Sequence, residues 1–313
     1  MKRLKKFFNL TKSMPRESGL WAGVEELLEL RRKTTYLRAL SSKMTYSSQS
    51  GEVKSAFKGR GVEMEEIRAY VPGDDVRDID WRVTARKSNP YTKLYAEEKD
   101  REIYALLDLS PHMAFGTRNE LKSVAAAKIA VLLGWLSLEN KDRFGAVIFN
   151  GQENFLYKPQ NRRPGMLTLV RKISDVTREI LQRDFVQKTS FSKALQLLEM
   201  TIKNRATVFV VSDFADFDEE TQKKLAVLAK KADVYVVNVF DVLEENAPKA
   251  GEYMVANGKK TLVFDSGSKS FVMEYKKYFA AKRLKVNDFC VKFGCRYMEV
   301  RTDIELYRQI KII

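Results

Sequence analysis

From residue 102 onward the chain alternates between short runs that are apolar without interruption and longer segments with a three-to-four-residue apolar rhythm. Ile103-Tyr-Ala-Leu-Leu107, Phe144-Gly-Ala-Val-Ile-Phe149, Thr207-Val-Phe-Val-Val211 and Val234-Tyr-Val-Val-Asn-Val239 are the runs, and a last one lies near Tyr297–Val300. Helical periodicity predicts helices at about 120–139, 164–181, 191–203, 218–231 and 269–291, followed by a short terminal helix. In the third of these, Phe191, Ala194, Leu195, Leu198 and Ile202 share one face. Asn154 to Tyr157 is expected to hairpin back across Asn150-Gly151, and Gly251 to Asp265 to hairpin around Asn257-Gly258. Strands that do not alternate apolar with polar are buried on both faces, which predicts a mostly parallel sheet flanked by helices.

The first hundred residues read differently. Residues 1–17 form a basic arm, and 18–50 hold a helix rhythm through Trp21, Val24, Leu27, Leu28, Leu37 and Leu40, then a Ser-rich linker. Residues 51–101 are punctuated by Gly59, Gly61, Pro72, Gly73 and Pro90 and read as a smaller β-rich segment. Residues 102–313 make the α/β domain. Ligands of such sheets sit beyond the carboxyl ends of the strands. Two strands end there in polar clusters: Asp108-Leu-Ser110, and Ser212-Asp213-Phe-Ala-Asp216. A carboxylate and a hydroxyl two residues apart at a strand end suit a hard cation.

The densest charge pattern is Arg68-Ala-Tyr-Val-Pro-Gly-Asp-Asp-Val-Arg-Asp-Ile-Asp-Trp-Arg-Val-Thr-Ala-Arg86. Pro72 and Gly73 break it and Ile79 and Trp81 interrupt it, so it is not a solvated helix face. It reads as a network pinning the β-rich segment to the α/β domain, or as a partner-facing surface of Arg68, Asp74, Asp75, Arg77, Asp80, Trp81 and Arg86.

Together these motifs resemble two nested families. Asp108-Leu-Ser-Pro-His-Met113, Thr189-Ser-Phe-Ser-Lys-Ala-Leu195 and Val211-Ser-Asp213 resemble the adhesion-site loops of von Willebrand factor A-type domains, a Rossmann-like fold. The block ending at Arg86, directly ahead of such a domain, resembles the DUF58 proteins. The first resemblance implies Asp108, Ser110, Thr189 and Asp213 as ligands of Mg²⁺ or Mn²⁺, with His112 standing where the family has a second Ser. Imidazole is a poorer partner for Mg²⁺, and a metal-free structural pocket is the alternative. The second resemblance implies a cytoplasmic adaptor that binds a MoxR-type AAA+ ATPase.

Composition narrows the alternatives. A single His, two Cys and no Gly-rich phosphate loop or Ser/His/Asp set argue against covalent catalysis and favour a non-enzymatic interaction module. A phosphoesterase built on Asp74, Asp75, Asp78 and Asp80 is disfavoured because interleaved arginines would neutralise its carboxylates. Of the net charge of +15, residues 1–16 contribute +6 and residues 268–313 another +6, from eleven Lys/Arg against five Asp/Glu. Basic ends suit an anionic surface, so a peripheral membrane contact through Lys2, Arg3, Lys5, Lys6, Phe7 and Phe8 is a further reading, and nucleic acid a weaker one. No signal-peptide core or membrane-spanning run is read: the apolar stretch Val124–Leu138 contains Lys128 and falls short of the roughly 20 residues a span needs.

Overall fold

The computed structural model describes residues 19–34, 64–87, 89–95, 101–181, 188–203, 206–257 and 260–309. The expected contacts of Lys2, Arg3, Lys5, Lys6, Phe7 and Phe8 lie outside these residues. The chain divides into two compact units, Val53–Asp100 and the remainder.

In the smaller unit, β1 (Met64–Ala69) pairs antiparallel with β2 (Tyr91–Tyr95), Arg68 opposite Thr92. The Pro72-Gly73 turn has Gly73 at φ +114°, and Asp74 closes it by accepting from the Val71 N–H at 3.0 Å. The β-like expectation for this region fails at α2 (Trp81–Lys87). Asp80 explains why: its Oδ1 accepts from the N–H groups of Arg82 (2.9 Å) and Val83 (3.2 Å), capping a helix that the charge alternation concealed. Asp75 likewise accepts from the Arg77 N–H at 2.9 Å. Several carboxylates of the block therefore organise local turns, and Arg68 pairs with Asp74 at 2.7 Å.

The larger unit is built on six strands: β3 (Glu102–Asp108), β4 (Arg143–Phe149), β5 (Asn154–Gln160), β6 (Ala206–Ser212), β7 (Ala232–Phe240) and β10 (Arg296–Arg301). Their order is β10-β7-β6-β3-β4-β5, with every neighbouring pair parallel except β4–β5. The chain thus winds outward in one direction from β3 and in the other from β6, a doubly wound arrangement whose switch point lies between those two strands. A separate hairpin joins β8 (Glu252–Asn257) and β9 (Lys260–Asp265).

Side-chain alternation sorts the helices between the faces. Tyr104 and Leu106 pack with α5 (Phe191–Thr201), α6 (Glu219–Lys231) and the end of α8 (Lys269–Phe293). The opposite face, carrying Ala105 and Leu107, is covered by α3 (Lys122–Glu139), with α4 (Arg163–Glu179) beside it. Fourteen residues of α3 are buried. A helix α1 over residues 24–34 belongs to this unit: Leu27 and Leu30 are buried, the Ala22 N–H donates to Thr177 Oγ1 at 3.1 Å, and Thr34 Oγ1 donates to Glu139 at 2.7 Å. Two short helices, α7 (Val242–Glu245) and α9 (Leu306–Gln309), follow β7 and β10.

Candidate functional site

The two polar strand ends meet at the switch point. Because β3 and β6 are neighbours in register, Leu107 opposite Val211, Asp108 and Ser212 emerge side by side. Ser212 Oγ donates to Asp108 Oδ2 at 2.6 Å, and the Ser110 N–H donates to Asp108 Oδ1 at 2.9 Å. Asp108, Ser110, His112, Ser212, Asp213 and Asp216 line one small cavity, floored by Phe149, Phe191 and Phe214. His112 is half-exposed at the rim, with Nε2 3.9 Å from Asp216 Oδ2. Thr189 is not part of this lining; its N–H donates to the Gly151 carbonyl at 3.0 Å, and Phe191, two residues on, reaches the cavity wall instead.

The loop after β6 is held in an unusual conformation. Phe214 has φ +50°, a left-handed backbone that costs a non-glycine residue about 1–2 kcal/mol. It is fixed by the Phe214 N–H donating to Ser212 Oγ at 3.0 Å and by edge-on packing of the ring against Phe191 and Phe217. The turn points Asp213 back across the strand ends, its Oδ1 accepting from the Ala215 N–H at 2.9 Å. The helix cap at α6 is Asp218, not Asp213, so Asp213 is free of that duty.

One central residue of the site was not anticipated from sequence. Lys122, the first residue of α3, is buried and places Nζ 2.5 Å from Asp213 Oδ2 and 3.0 Å from Glu244 Oε1. An ammonium at a helix N-terminus opposes the helix dipole and is retained here by the two carboxylates. Glu244 also accepts from the Asp241 N–H at 2.9 Å, completing a capping box at the start of α7. Asp241, fully buried, accepts from the Thr117 N–H and Oγ1, the Leu243 N–H and Thr302 Oγ1. Polar interactions thus run along the carboxyl ends of β3, β6, β7 and β10.

These surroundings pull the two aspartates apart. Burial, with the Asp213 charge adding to it, pushes the Asp108 carboxyl up to about 6, partly offset by its bonds from Ser212 and Ser110. Burial works the same way on Asp213, but the Lys122 and Lys282 charges and the Ala215 N–H outweigh it and hold that carboxyl below its ordinary range. Burial alone would lower the Lys122 ammonium; Asp213 and Glu244 reverse this and raise it.

The donor set for Mg²⁺ or Mn²⁺ is therefore present in part and altered in character. Asp108, Ser110 and Asp213 come together. Yet each carboxylate oxygen of the two aspartates already accepts a hydrogen bond, and the cation beside Asp213 is a lysine. Among the described residues no three His, Cys, Asp or Glu side chains form a metal cage. As arranged, these residues do not fit a divalent ion.

A larger cleft than this cavity lies elsewhere among the described residues, between α1, α3 and α9, lined by Glu26, Glu29, Lys33, Glu120 and Tyr307 among others. Lys128 bridges Glu26 and Glu120 there.

Comparison with known proteins gives the family. The model of the family described as protein of unknown function DUF58 matches residues 66–285, more than two thirds of the chain. The chain belongs to the DUF58 family. An uncharacterized protein of Mycobacterium bovis is 25% identical over 254 residues, which cover 81% of this DUF58 chain and 78% of the relative. An uncharacterized protein of Mycobacterium tuberculosis matches to the same extent. Among solved structures, the conserved hypothetical protein BatB of Bacteroides thetaiotaomicron matches with a TM-score of 0.40 at 15% identity, covering 64% of this chain and 90% of its own. An aerotolerance-related membrane protein of Bacteroides fragilis matches with a TM-score of 0.39 at 13% identity, covering 65% and 93%. Among the described residues of this DUF58 protein, no helix is long and apolar enough to cross a membrane.

Proposed function

We propose that this DUF58 protein is a non-enzymatic interaction module whose larger unit is a von Willebrand factor A-like domain, gripping a partner protein at the rim of the Asp108 pocket. The observation that carries the reading is the meeting of Asp108, Ser110, Ser212 and Asp213 at the switch point between β3 and β6. The antiparallel edge strand β5 on an otherwise parallel, doubly wound sheet supports it. Asp216 and His112, half-exposed beside the pocket, are the groups a partner meets first. The partner implied by the family resemblance is a MoxR-type AAA+ ATPase.

The test is co-purification from the native host, under ATP and under ADP, of the wild type and Asp216→Arg. Capture of an AAA+ ATPase by the wild type and its loss in the variant supports the reading. Equal capture by both moves the interface away from the pocket, and no ATPase in either nucleotide state removes the partner.

A second reading draws on α8. Met273, Leu284 and Val291 are exposed on one stripe of this helix, and Lys276, Lys277, Lys285 and Lys292 are exposed along it. That combination suits an anionic membrane surface. Co-sedimentation with phosphatidylserine vesicles, lost in Leu284→Asp, supports it; no co-sedimentation at low salt removes it.

A further inference from the structure

We infer that Lys122, paired with Asp213 behind the lining of the Asp108 pocket, is the resident cation of this site, a tethered ammonium in the charge role that a divalent ion fills in adhesion-type sites, so that recognition at this pocket is independent of metal. The inference rests on the proposed interaction site and specifies how that site is charged.

The geometry is that of a filled cation site. Lys122 Nζ lies 2.5 Å from Asp213 Oδ2 and 3.0 Å from Glu244 Oε1, and 5.6 Å from the centroid of the Phe115 ring. Two carboxylates and an aromatic face therefore surround it. The Lys122 and Asp213 side chains are each 3% exposed, so the pair is desolvated. It joins three elements, the start of α3, the end of β6 and α7, as a multivalent ion would. Each other carboxylate oxygen accepts one hydrogen bond, Asp213 Oδ1 from the Ala215 N–H and the two oxygens of Asp108 from Ser110 and Ser212, which leaves Lys122 as the cation on this pair of aspartates. A divalent ion on Asp213 Oδ2 would lie against the Lys122 ammonium, and the two like charges would repel.

Two departures from the adhesion-site pattern accompany this. Where a hydroxyl ligand is expected, His112 points to the rim, towards Asp216 rather than towards Asp213. Thr189 stands outside the lining.

Calorimetry with Mg²⁺ and Mn²⁺ tests the inference on the wild type, Lys122→Ala and the charge-balanced Lys122→Ala/Glu244→Ala, with folding checked by thermal melts. The wild type is expected to show no saturable binding at millimolar metal, and the folded variants to gain a single site that Asp213→Asn abolishes. Saturable binding to the wild type, lost in Asp108→Ala, overturns the inference. So does the absence of binding to variants that fold. Should Lys122→Ala not fold, the double variant and the wild-type titration decide the matter. Partner capture in EDTA separates this from the proposed function. Capture unaffected by the chelator supports metal independence, capture abolished by it overturns the inference, and no capture under any condition removes the partner while leaving the metal titration to stand by itself.

Discussion

Ser212 Oγ and Asp108 Oδ2, 104 residues apart in the chain, are joined by a 2.6 Å hydrogen bond across the switch point of the sheet. The bond ties the ends of β3 and β6 at the place where the two halves of the winding diverge. It also leaves Asp108 with hydrogen-bond donors but no cation of its own, while Asp213 next to it takes Lys122. One carboxylate is held ionised and its neighbour is driven towards the neutral form.

The pH dependence of stability follows from that difference. The Asp108 carboxyl, ordinarily near 3.8, is raised to about 6 in the folded protein. A raised value favours the protonated folded form, so its contribution is complete below the unfolded value and is lost as pH rises through about 6. The loss is worth roughly 3 kcal/mol at most. Asp213, held low, contributes in the opposite sense and is lost only under more acidic conditions. Asp108→Asn is expected to flatten the decline in melting temperature between about pH 4 and pH 6 and to melt at or above the wild type at pH 8. A variant with the wild-type decline would place that titration elsewhere.

Much of this arrangement was legible in the residues. The parallel strands announced themselves because burial on both faces removes alternation, and the clusters at 108–110 and 212–216 marked the strand ends that meet. Helix α2 was hidden because Asp80 looked like one more charge in an alternating block, whereas its role as a cap depends on where the chain turns. Lys122 was hidden for a different reason. Its charge is balanced by Asp213 and Glu244, 91 and 122 residues downstream, and nothing local distinguishes it from a solvated lysine at a helix start.

Gly116 lies in the loop that delivers Lys122 to the site. The Lys122 N–H donates to the Phe115 carbonyl at 2.8 Å, and a Cβ on Gly116 would lie 2.3 Å from the Glu120 carbonyl oxygen and 2.8 Å from Leu121 Cα. These are backbone atoms and have little room to yield. Gly116→Ala is expected to cost about 1–3 kcal/mol, as overpacking does. In a unit of this size that lowers the melting temperature by about 2–4 °C per kcal/mol. An unchanged melt would mean that the loop adapts without strain.

Phe214 combines a left-handed backbone with a buried ring. Removing the ring by Phe214→Ala is expected to cost about 3–5 kcal/mol. Glycine usually stands about 0.5–1 kcal/mol below alanine, but at φ +50° it relieves a comparable strain. Phe214→Gly should therefore be no less stable than Phe214→Ala in urea titrations. A glycine variant clearly weaker than the alanine variant would show that the backbone of this turn is not strained.

Asp241 tests the outer part of the polar seam. The side chain is fully buried and accepts four hydrogen bonds, from the Thr117 N–H (3.0 Å) and Oγ1 (2.6 Å), the Leu243 N–H (2.9 Å) and Thr302 Oγ1 (2.6 Å). Burial opposes its ionisation, but these donors outweigh it and hold its carboxyl below the ordinary range. Its contribution is therefore present at neutral pH and lost as pH falls through that lowered value. Asp241→Asn keeps the shape but turns an NH₂ group towards donors, leaving at least one N–H or O–H without an acceptor. Each buried donor so orphaned costs about 1–3 kcal/mol. The Thr hydroxyls can rotate and the Thr117 and Leu243 N–H groups have no such freedom, so Thr302→Val should cost less than Asp241→Asn. Melting both variants at pH 7 checks the order, and a Thr302→Val variant as damaged as Asp241→Asn would mean that the hydroxyl bond, rather than the backbone donors, carries the stability of this junction.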